Sequence, residues 1–348
     1  MINGNTMNAQ KKDLPKVTFG IVNCNRLFYL KSCVESLLDC TEDYPNKEII
    51  IVDNASIEDG TEEYLQEKEK QGAKVFRHQA RDPSNEFARA LNLIVRESSG
   101  DFICPLQGDM QFIVRGTWLH EYVNFFSENE NITGCIMLDA QRSVRNGADK
   151  YSEPMGQQFK FVYNLTRNPI NAAGDVMFSR KMIEQIYPWS ESNTNHEGGG
   201  DSETKMLEKV AKIIGGYNIG PFCAMPILPI TVTINTDPRG TNARVRGNKR
   251  YGAYWPPKTD YRYYEIYELD DFKKSLSLYF DFSNALAPVG VEHVANPIGW
   301  KKPVDPSGNW LKNPINPETA IPSDYTVLYE ETSVNVVDEV YLDEWLDS

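Results

Sequence analysis

A run of four β-branched residues that ends in short polar ones restricts the fold more than any other feature. Residues 49–52 are Ile-Ile-Ile-Val, and Asp53 and Asn54 follow directly. Such a run indicates a strand buried on both faces, as in a parallel sheet. Because ligands of open α/β sheets bind at the carboxyl ends of the strands, Asp53 stands where a carboxylate can meet a ligand. An Asp that only caps a surface turn fits the same residues equally well.

Predicted strands and helices alternate over the first 110 residues. Hydrophobic spacing and turn residues indicate strands at 16–22, 49–52, 74–77 and 100–106, with helices at about 27–38, 61–71 and 86–95. This alternation predicts an α/β fold with a mainly parallel sheet covered by helices on both faces.

The ordered set of motifs resembles the family 2 glycosyltransferases, nucleotide-sugar enzymes with the GT-A fold. The matching pieces are residues 22–26 at the end of the first strand, 53–56 and 59–61 after the second, 90–92 in a helix and 100–103 at the next strand. Each piece is weak alone, and the order and spacing make the set specific. The resemblance covers residues 16 to about 215 and implies a GT-A, Rossmann-like domain with an irregular C-terminal extension.

The resemblance implies a donor site for a nucleoside diphosphate sugar, with a UDP-sugar favoured. Asp53 would accept a hydrogen bond from the base, and the backbone around Val22 and Asn23 would border the same pocket. Asn25 and Arg26 would support the ribose or the turn, and simple capping of a helix entry fits these residues about equally well. The other donor-binding candidates are Asn92, Gln107, Gly174 and Asp175.

The chain departs from the family at its metal motif, Asp-x-Asp. Gln107 stands at the first acid and Asp109 at the second, which usually binds the divalent cation on the diphosphate. Asp109 is therefore the candidate ligand for Mn²⁺ or Mg²⁺, both of which prefer oxygen ligands. The late histidine of many GT-A enzymes has no counterpart here, and Asn235 or Asp237 are its possible substitutes.

A glycine-rich turn that runs into acids supplies the catalytic candidates. Residues 198–203 read Gly-Gly-Gly-Asp-Ser-Glu. Glycines allow a close backbone approach, and acids are favoured at a helix N-terminus. By resemblance, Asp201 takes the family's base position in inverting transfer, with Glu203 second. The alternative is an N-cap followed by a first-turn acid.

A basic segment at residues 239–250 carries five cations in a chain of net charge −13. We expect a loop that folds over the donor, in which Arg244 and Arg246 offset diphosphate charge. A solvated basic loop is an equal alternative. The acidic balance of the whole chain argues against a nucleic-acid partner.

Composition and cysteine spacing restrict the class and the cellular location of the protein. The 348 residues contain no apolar run long enough for a membrane span, no leader-like start and six cysteines without metal or disulfide spacing, which together predict a cytoplasmic protein. We expect a disordered lead at 1–15, a catalytic domain at 16–235 with a nucleotide-binding half (16–112) and an acceptor half (113–235), and an extension at 236–348.

The sequence thus predicts a metal-dependent glycosyltransferase that acts on an acceptor hydroxyl. Retaining transfer is the alternative within the same class, since the fold hosts both outcomes. The alternative from another class is a non-catalytic glycan- or nucleotide-binding protein derived from such an enzyme.

Overall fold

The computed structural model describes residues 14–25, 27–82, 85–138, 155–156, 161–164, 176–191, 200–213, 221–226, 230–233, 250–254, 266–270 and 326–331. The helices are α1 (Leu27–Cys40), α2 (Thr61–Lys70), α3 (Glu86–Glu97), α4 (Trp118–Glu128), α5 (Arg180–Ile186) and α6 (Gly200–Ile213). The strands are β1 (Val17–Asn23), β2 (Lys47–Asp53), β3 (Lys74–Arg77), β4 (Phe102–Gln107), β5 (Met110–Phe112), β6 (Val114–Arg115), β7 (Thr133–Met137), β8 (Phe161–Asn164), β9 (Val176–Ser179), β10 (Phe222–Pro226), β11 (Thr231–Thr233), β12 (Arg250–Tyr254), β13 (Tyr267–Glu268) and β14 (Thr326–Glu331).

The main sheet confirms the predicted α/β class. Eight strands lie in the order β3-β2-β1-β4-β9-β7-β10-β8. The first four are mutually parallel, whereas β9 and β8 run antiparallel to their neighbours. All the strands and helices predicted within the first 110 residues are present, and most of them begin or end one or two residues from the predicted position.

The sheet is buried on both faces by two apolar clusters. Phe19 and Ile21 of β1 pack with α1 and α4, and Ile50 and Val52 of β2 pack with α3 and α5. At Gly20, a Cβ atom would lie 2.1 Å from a side-chain carbon of Ile94 in α3. Glycine at this position therefore lets α3 lie close against β1.

A buried carboxylate ties together the amino-terminal ends of the four parallel strands. Glu48 in β2 accepts hydrogen bonds from Thr18 Oγ1 of β1 (2.6 Å) and from the backbone N–H (2.8 Å) and Oγ (3.0 Å) of Ser99, which precedes β4. The Lys74 ammonium of β3 lies 2.7 Å from Glu48 Oε1, the oxygen that also accepts from Ser99 Oγ. Burial alone would raise the pKa of Glu48, but these donors lower it to about 2.

Smaller strand pairs surround the main sheet. In the described part of the C-terminal extension, β13 pairs in parallel with β6, and β12 pairs with β14. Leu269 packs on Gly116, where a Cβ atom would lie 3.0 Å from the leucine Cβ. All six cysteines are free thiols. None of the helices in the described ranges has the length and apolar character of a membrane span.

Loss of the Glu48 charge should remove part of the acid sensitivity of folding. Because the pKa of Glu48 is about 2 in the folded protein and its ordinary value is 4.5, its stabilising contribution is present above pH 4.5 and is lost as the pH falls towards 2. That contribution is about 2 kcal/mol after allowance for solvent screening of the exposed lysine. We expect Glu48→Gln to be less stable than the wild type at pH 7. Its free energy of unfolding, measured by urea titration, should change less between pH 4.5 and pH 2 than that of the wild type.

The matched control is Glu63→Gln, an exposed acid at the start of α2. It should retain the pH profile of the wild type. An unchanged profile in Glu48→Gln would contradict the assignment of the acid sensitivity to Glu48.

Candidate functional site

The order of the strands creates a crevice at the carboxyl ends of β2, β1 and β4. The chain passes from β1 to β2 on one side and later returns to β4 on the other, so β1 and β4 flank a topological switch point. In register, Asn23 lies beside Asp53, and Val22 lies beside Gln107. Ligands of open α/β sheets bind at such a point. Four predicted donor-site residues therefore meet at one edge of the sheet.

Asp53 is held by three hydrogen bonds at this edge. Its Oδ1 accepts from Asn23 Nδ2 (2.7 Å) and from Ser56 Oγ (2.5 Å), and its Oδ2 accepts from the Ser56 backbone N–H (2.9 Å). The residue is 4% exposed. Such a carboxylate has a fixed orientation because its donors come from both the first strand and its own turn.

The turns after β1 and β2 each contain one residue in an uncommon backbone conformation. Asn25 has φ 54° and Ala55 has φ 52°, both in the left-handed region. The Asn25 side chain accepts from the Ile57 N–H (2.8 Å), and its backbone N–H donates to Ser56 Oγ (2.6 Å). Asn tolerates this region better than most residues. Of the two predicted roles of Asn25, these contacts support the turn rather than the ribose.

The other side of the crevice presents Asp109 on a tight turn between β4 and β5. The preceding Gly108 donates its N–H to the Val22 carbonyl (3.1 Å), and a Cβ atom there would lie 2.9 Å from the same oxygen. Glycine thus brings this turn against the end of β1. Asp109 is 7% exposed. It follows β4, which lies two strands from β2, the strand that ends at Asp53, and two strand spacings correspond to about 10 Å.

The residues at this turn fit a divalent cation that is shared with a substrate. Among the described residues, no three His, Cys, Asp or Glu side chains come together as a metal site. Mg²⁺ commonly takes one or two protein carboxylates and completes its shell with phosphate oxygens and water. Asp109 would hold such an ion, and a diphosphate would supply much of the remaining shell.

His78, the residue after β3, lies next to Asp53. The His78 backbone N–H donates to the Asp53 carbonyl (2.9 Å). Burial, and then the nearby Arg89 charge, lower the pKa of His78. Arg89 lies 2.7 Å from Asp82 and 3.6 Å from Glu191.

The structure gives Asn92 a role different from the predicted donor contact. Its Nδ2 donates to the Trp189 carbonyl (2.9 Å) and to Glu191 Oε1 (2.8 Å), while its Oδ1 accepts from the Trp189 N–H (2.8 Å). Both amide protons are thereby used within the protein. Trp189 itself is 1% exposed, so it belongs to the core and is not available to stack a sugar.

The remaining predicted residues are only partly placed. Asp201 and Glu203 lie in the first turn of α6, as the glycine-turn pattern predicts, but their side chains lie outside the described set. Also outside it are Arg26, Gly174, Asp175, Asn235, Asp237, Arg244 and Arg246. The roles predicted for these residues stay predictions.

Sequence reasoning assigned no role to Ser56 or Glu191. Ser56 has a recognisable signal, because an Asp followed three residues later by Ser is typical of a turn in which side chain and backbone bond to each other. Glu191 has no local signal. Its contact with Asn92 joins residues 99 positions apart and depends on the tertiary fold.

Replacement of Asn25 separates backbone strain from hydrogen bonding. Asn25→Ala should destabilise the protein by about 1–2 kcal/mol, since it loses the bond to Ile57 and places alanine at positive φ. Asn25→Gly loses the same bond but tolerates the conformation, so we expect it to retain more stability than Asn25→Ala. Urea unfolding of both variants measures the difference, and a less stable glycine variant would contradict the argument.

Comparison with known proteins adds a family match. The model of glycosyl transferase family 2 matches residues 18–187. Among solved structures, TarS 1–349 from S. aureus is 14% identical with a TM-score of 0.42, over 60% of this chain and 57% of that one. A mannosyltransferase from Pyrobaculum calidifontis, in complex with GDP-Man and Mn²⁺, is 18% identical with a TM-score of 0.40, over 56% and 53%.

The chain spans only a little more than half the length of these solved structures, and similarity of this size transfers neither a ligand nor an activity. No curated protein matches the chain. The family match covers β1 to α5, including the whole crevice between Asp53 and Asp109. Residues 18–187, just under half of the chain, are therefore similar to glycosyl transferase family 2, and they contain most of the α/β sheet that the sequence predicts.

Proposed function

We propose that the protein transfers a sugar from a nucleoside diphosphate sugar to an acceptor hydroxyl. The observation that carries this proposal is the pair of carboxylates at the switch point. Asp53 is held in one orientation at the end of β2, and Asp109 lies across β1 on the turn after β4. A nucleoside diphosphate bridges such a span with its base at one end and its phosphates at the other.

Hydrogen-bond capacity at Asp53 favours a uracil-type base. A carboxylate offers about four lone-pair sites, and three are already used by Asn23 and Ser56. One site on Oδ2 is left for a ligand. Uracil presents a single imide N–H, whereas guanine presents two neighbouring N–H donors that need both carboxylate oxygens. A UDP-sugar is therefore the favoured donor.

The diphosphate would lie towards the β4 turn. A Mn²⁺ or Mg²⁺ ion bound by Asp109 would neutralise charge on the leaving diphosphate. Gln107, which lies beside Val22 at the end of β4, would hydrogen-bond a ribose hydroxyl in place of the family's first acid. The predicted contacts of Gly174 and Asp175 with the sugar, and of Arg244 and Arg246 with the phosphates, complete the proposed donor site.

The proposed base lies at the start of α6. In inverting transfer, the acceptor oxygen bonds to the anomeric carbon as the bond from that carbon to the diphosphate breaks, and the acceptor proton passes to a carboxylate. Asp201 is the proposed recipient of that proton, with Glu203 as the second candidate. The first turn of α6 favours both as carboxylates, because the helix dipole is positive there.

Nucleotide binding tests the donor site. By titration calorimetry with Mg²⁺ or Mn²⁺ present, we expect UDP to bind about tenfold more tightly than GDP. Ser56→Ala frees a lone pair on Asp53 Oδ1, so the dissociation constants of UDP and GDP should differ less in this variant than in the wild type. Ser127→Ala, in α4, is the matched control and should leave the ratio unchanged.

Each outcome of the titration bears on a different part of the proposal. Weaker UDP binding in EDTA supports the cation at Asp109, and equal binding with and without metal argues against it. If no nucleotide binds, the donor-site assignment is wrong.

Replacement of Asp201 tests the chemistry. Asp201→Asn should lower kcat for transfer or donor hydrolysis by about 10²- to 10⁴-fold, since asparagine cannot take the proton. UDP affinity should stay within about twofold, because the role proposed for Asp201 involves the acceptor proton and not the nucleotide. Glu208→Gln, an exposed acid further along α6, is the control.

A wild-type kcat in Asp201→Asn but a reduced one in Glu203→Gln would transfer the role to Glu203. Absence of turnover in the wild type with intact UDP binding would favour the non-catalytic binding protein instead.

A further inference from the structure

A short segment before the glycine-rich turn lies between two helices of the proposed site. This segment, residues 187–191, is called the strap. It follows α5 and reaches α3 through Asn92 on one side and α6 through two lysines on the other. The strap therefore connects the nucleotide-binding half with the helix that begins at the proposed base.

Asn92 holds the strap by its backbone. The amide bonds to both the N–H and the carbonyl of Trp189, so one side chain fixes the two peptide groups that flank this residue. A third bond, to Glu191, fixes the end of the strap. Asn92 is 5% exposed, so water competes little for these bonds. This geometry leaves the strap little freedom to shift along α3.

Helix α6 is attached to the same segment. Lys209 Nζ donates to the Pro188 carbonyl (2.6 Å) and to the carbonyl of Ile186 at the end of α5 (3.2 Å). Lys205 Nζ reaches Ser190 Oγ at 3.4 Å. A cation at the end of a helix also matches the negative end of the helix dipole. The strap is therefore the surface on which α6 is fixed along its length.

The attachment lies close to the start of α6. Lys205 is one turn, about 6 Å, after Asp201, and Lys209 is about two turns after it. Met206 and Val210 lie in the same buried cluster as Trp189. A displacement of the strap would therefore be passed on to the first turn of the helix as a rigid-body shift.

The end of the strap also faces the nucleotide side. Glu191 lies 3.6 Å from the Arg89 guanidinium of α3. The strap thus contacts α3 through an ion pair as well as through Asn92.

We propose that Asn92 is a positioning residue for sugar transfer, and that it acts by holding the strap on which α6 and its first-turn acids are set. This inference rests on the proposed function, because it takes the acid at the start of α6 as the base. It predicts a loss in the chemical step and none in nucleotide binding, since Asn92 spends both of its amide protons on the strap.

Steady-state kinetics with calorimetry test the proposal. We expect Asn92→Ala to lower kcat by about 10- to 100-fold, in line with the cost of a small misplacement, while KM for the donor and the UDP affinity stay within about twofold. Asn92→Asp retains the acceptor for the Trp189 N–H but sets a carboxylate against a carbonyl and Glu191, so it should lower kcat at least as much.

A second variant reaches the strap from the other side. Lys209→Met keeps the aliphatic stem but loses both carbonyl contacts, and it should also lower kcat without weakening UDP binding. The double variant should lose less than the product of the two single losses, because both act through the strap. Arg96→Ala, an exposed position on α3, is the control and should match the wild type.

Hydrogen exchange supplies a readout that is independent of turnover. The amides of the first turns of α6 should exchange faster in Asn92→Ala than in the wild type, while those of β1 and β2 should not change. A uniform rise in exchange, a parallel loss of UDP affinity, or a wild-type kcat in Asn92→Ala would overturn the positioning role.

The two proposals fail in different ways. If the wild type binds UDP and turns over but the Asn92 variants do so equally well, only the positioning role is wrong. If the wild type shows no turnover, both are overturned.

Discussion

The rest of the structure depends on two buried carboxylates at opposite ends of β2. Ionised carboxylates are costly to bury unless hydrogen-bond donors surround them. Glu48 takes its donors from β1, β3 and the residue before β4, and Asp53 takes its donors from β1 and its own turn. Any slip of one strand would leave a buried charge without partners. The two carboxylates therefore hold the four parallel strands in one register.

That register also determines the crevice. Because β1 has β2 on one side and β4 on the other, the residues that end these strands point to a common edge. Gly108 allows the β4 turn to lie against the Val22 carbonyl, which sets Asp109 across the crevice from Asp53. The strand register and the proposed ligand site thus depend on the same polar residues, Asn23 and Asp53, at the carboxyl ends of the strands.

Helix α6 is anchored in a different way. Its buried side chains pack with Trp189, and its lysines bond to the carbonyls of the strap. The strap is held in turn by Asn92 of α3. A side chain from the nucleotide-binding half therefore bears on the position of the proposed base, although the two are more than one hundred residues apart in the chain.

The sequence by itself determined the α/β class, the strands of the first half and the location of Asp53, Asp109 and the first turn of α6. These are readable because burial periodicity and turn chemistry are local properties of the chain. The role of Asn92 and the hydrogen bond from Asn23 to Asp53 were decided only by the tertiary structure. Each depends on hydrogen bonds or packing between segments distant in sequence. Residue type and spacing carry no information about such partners.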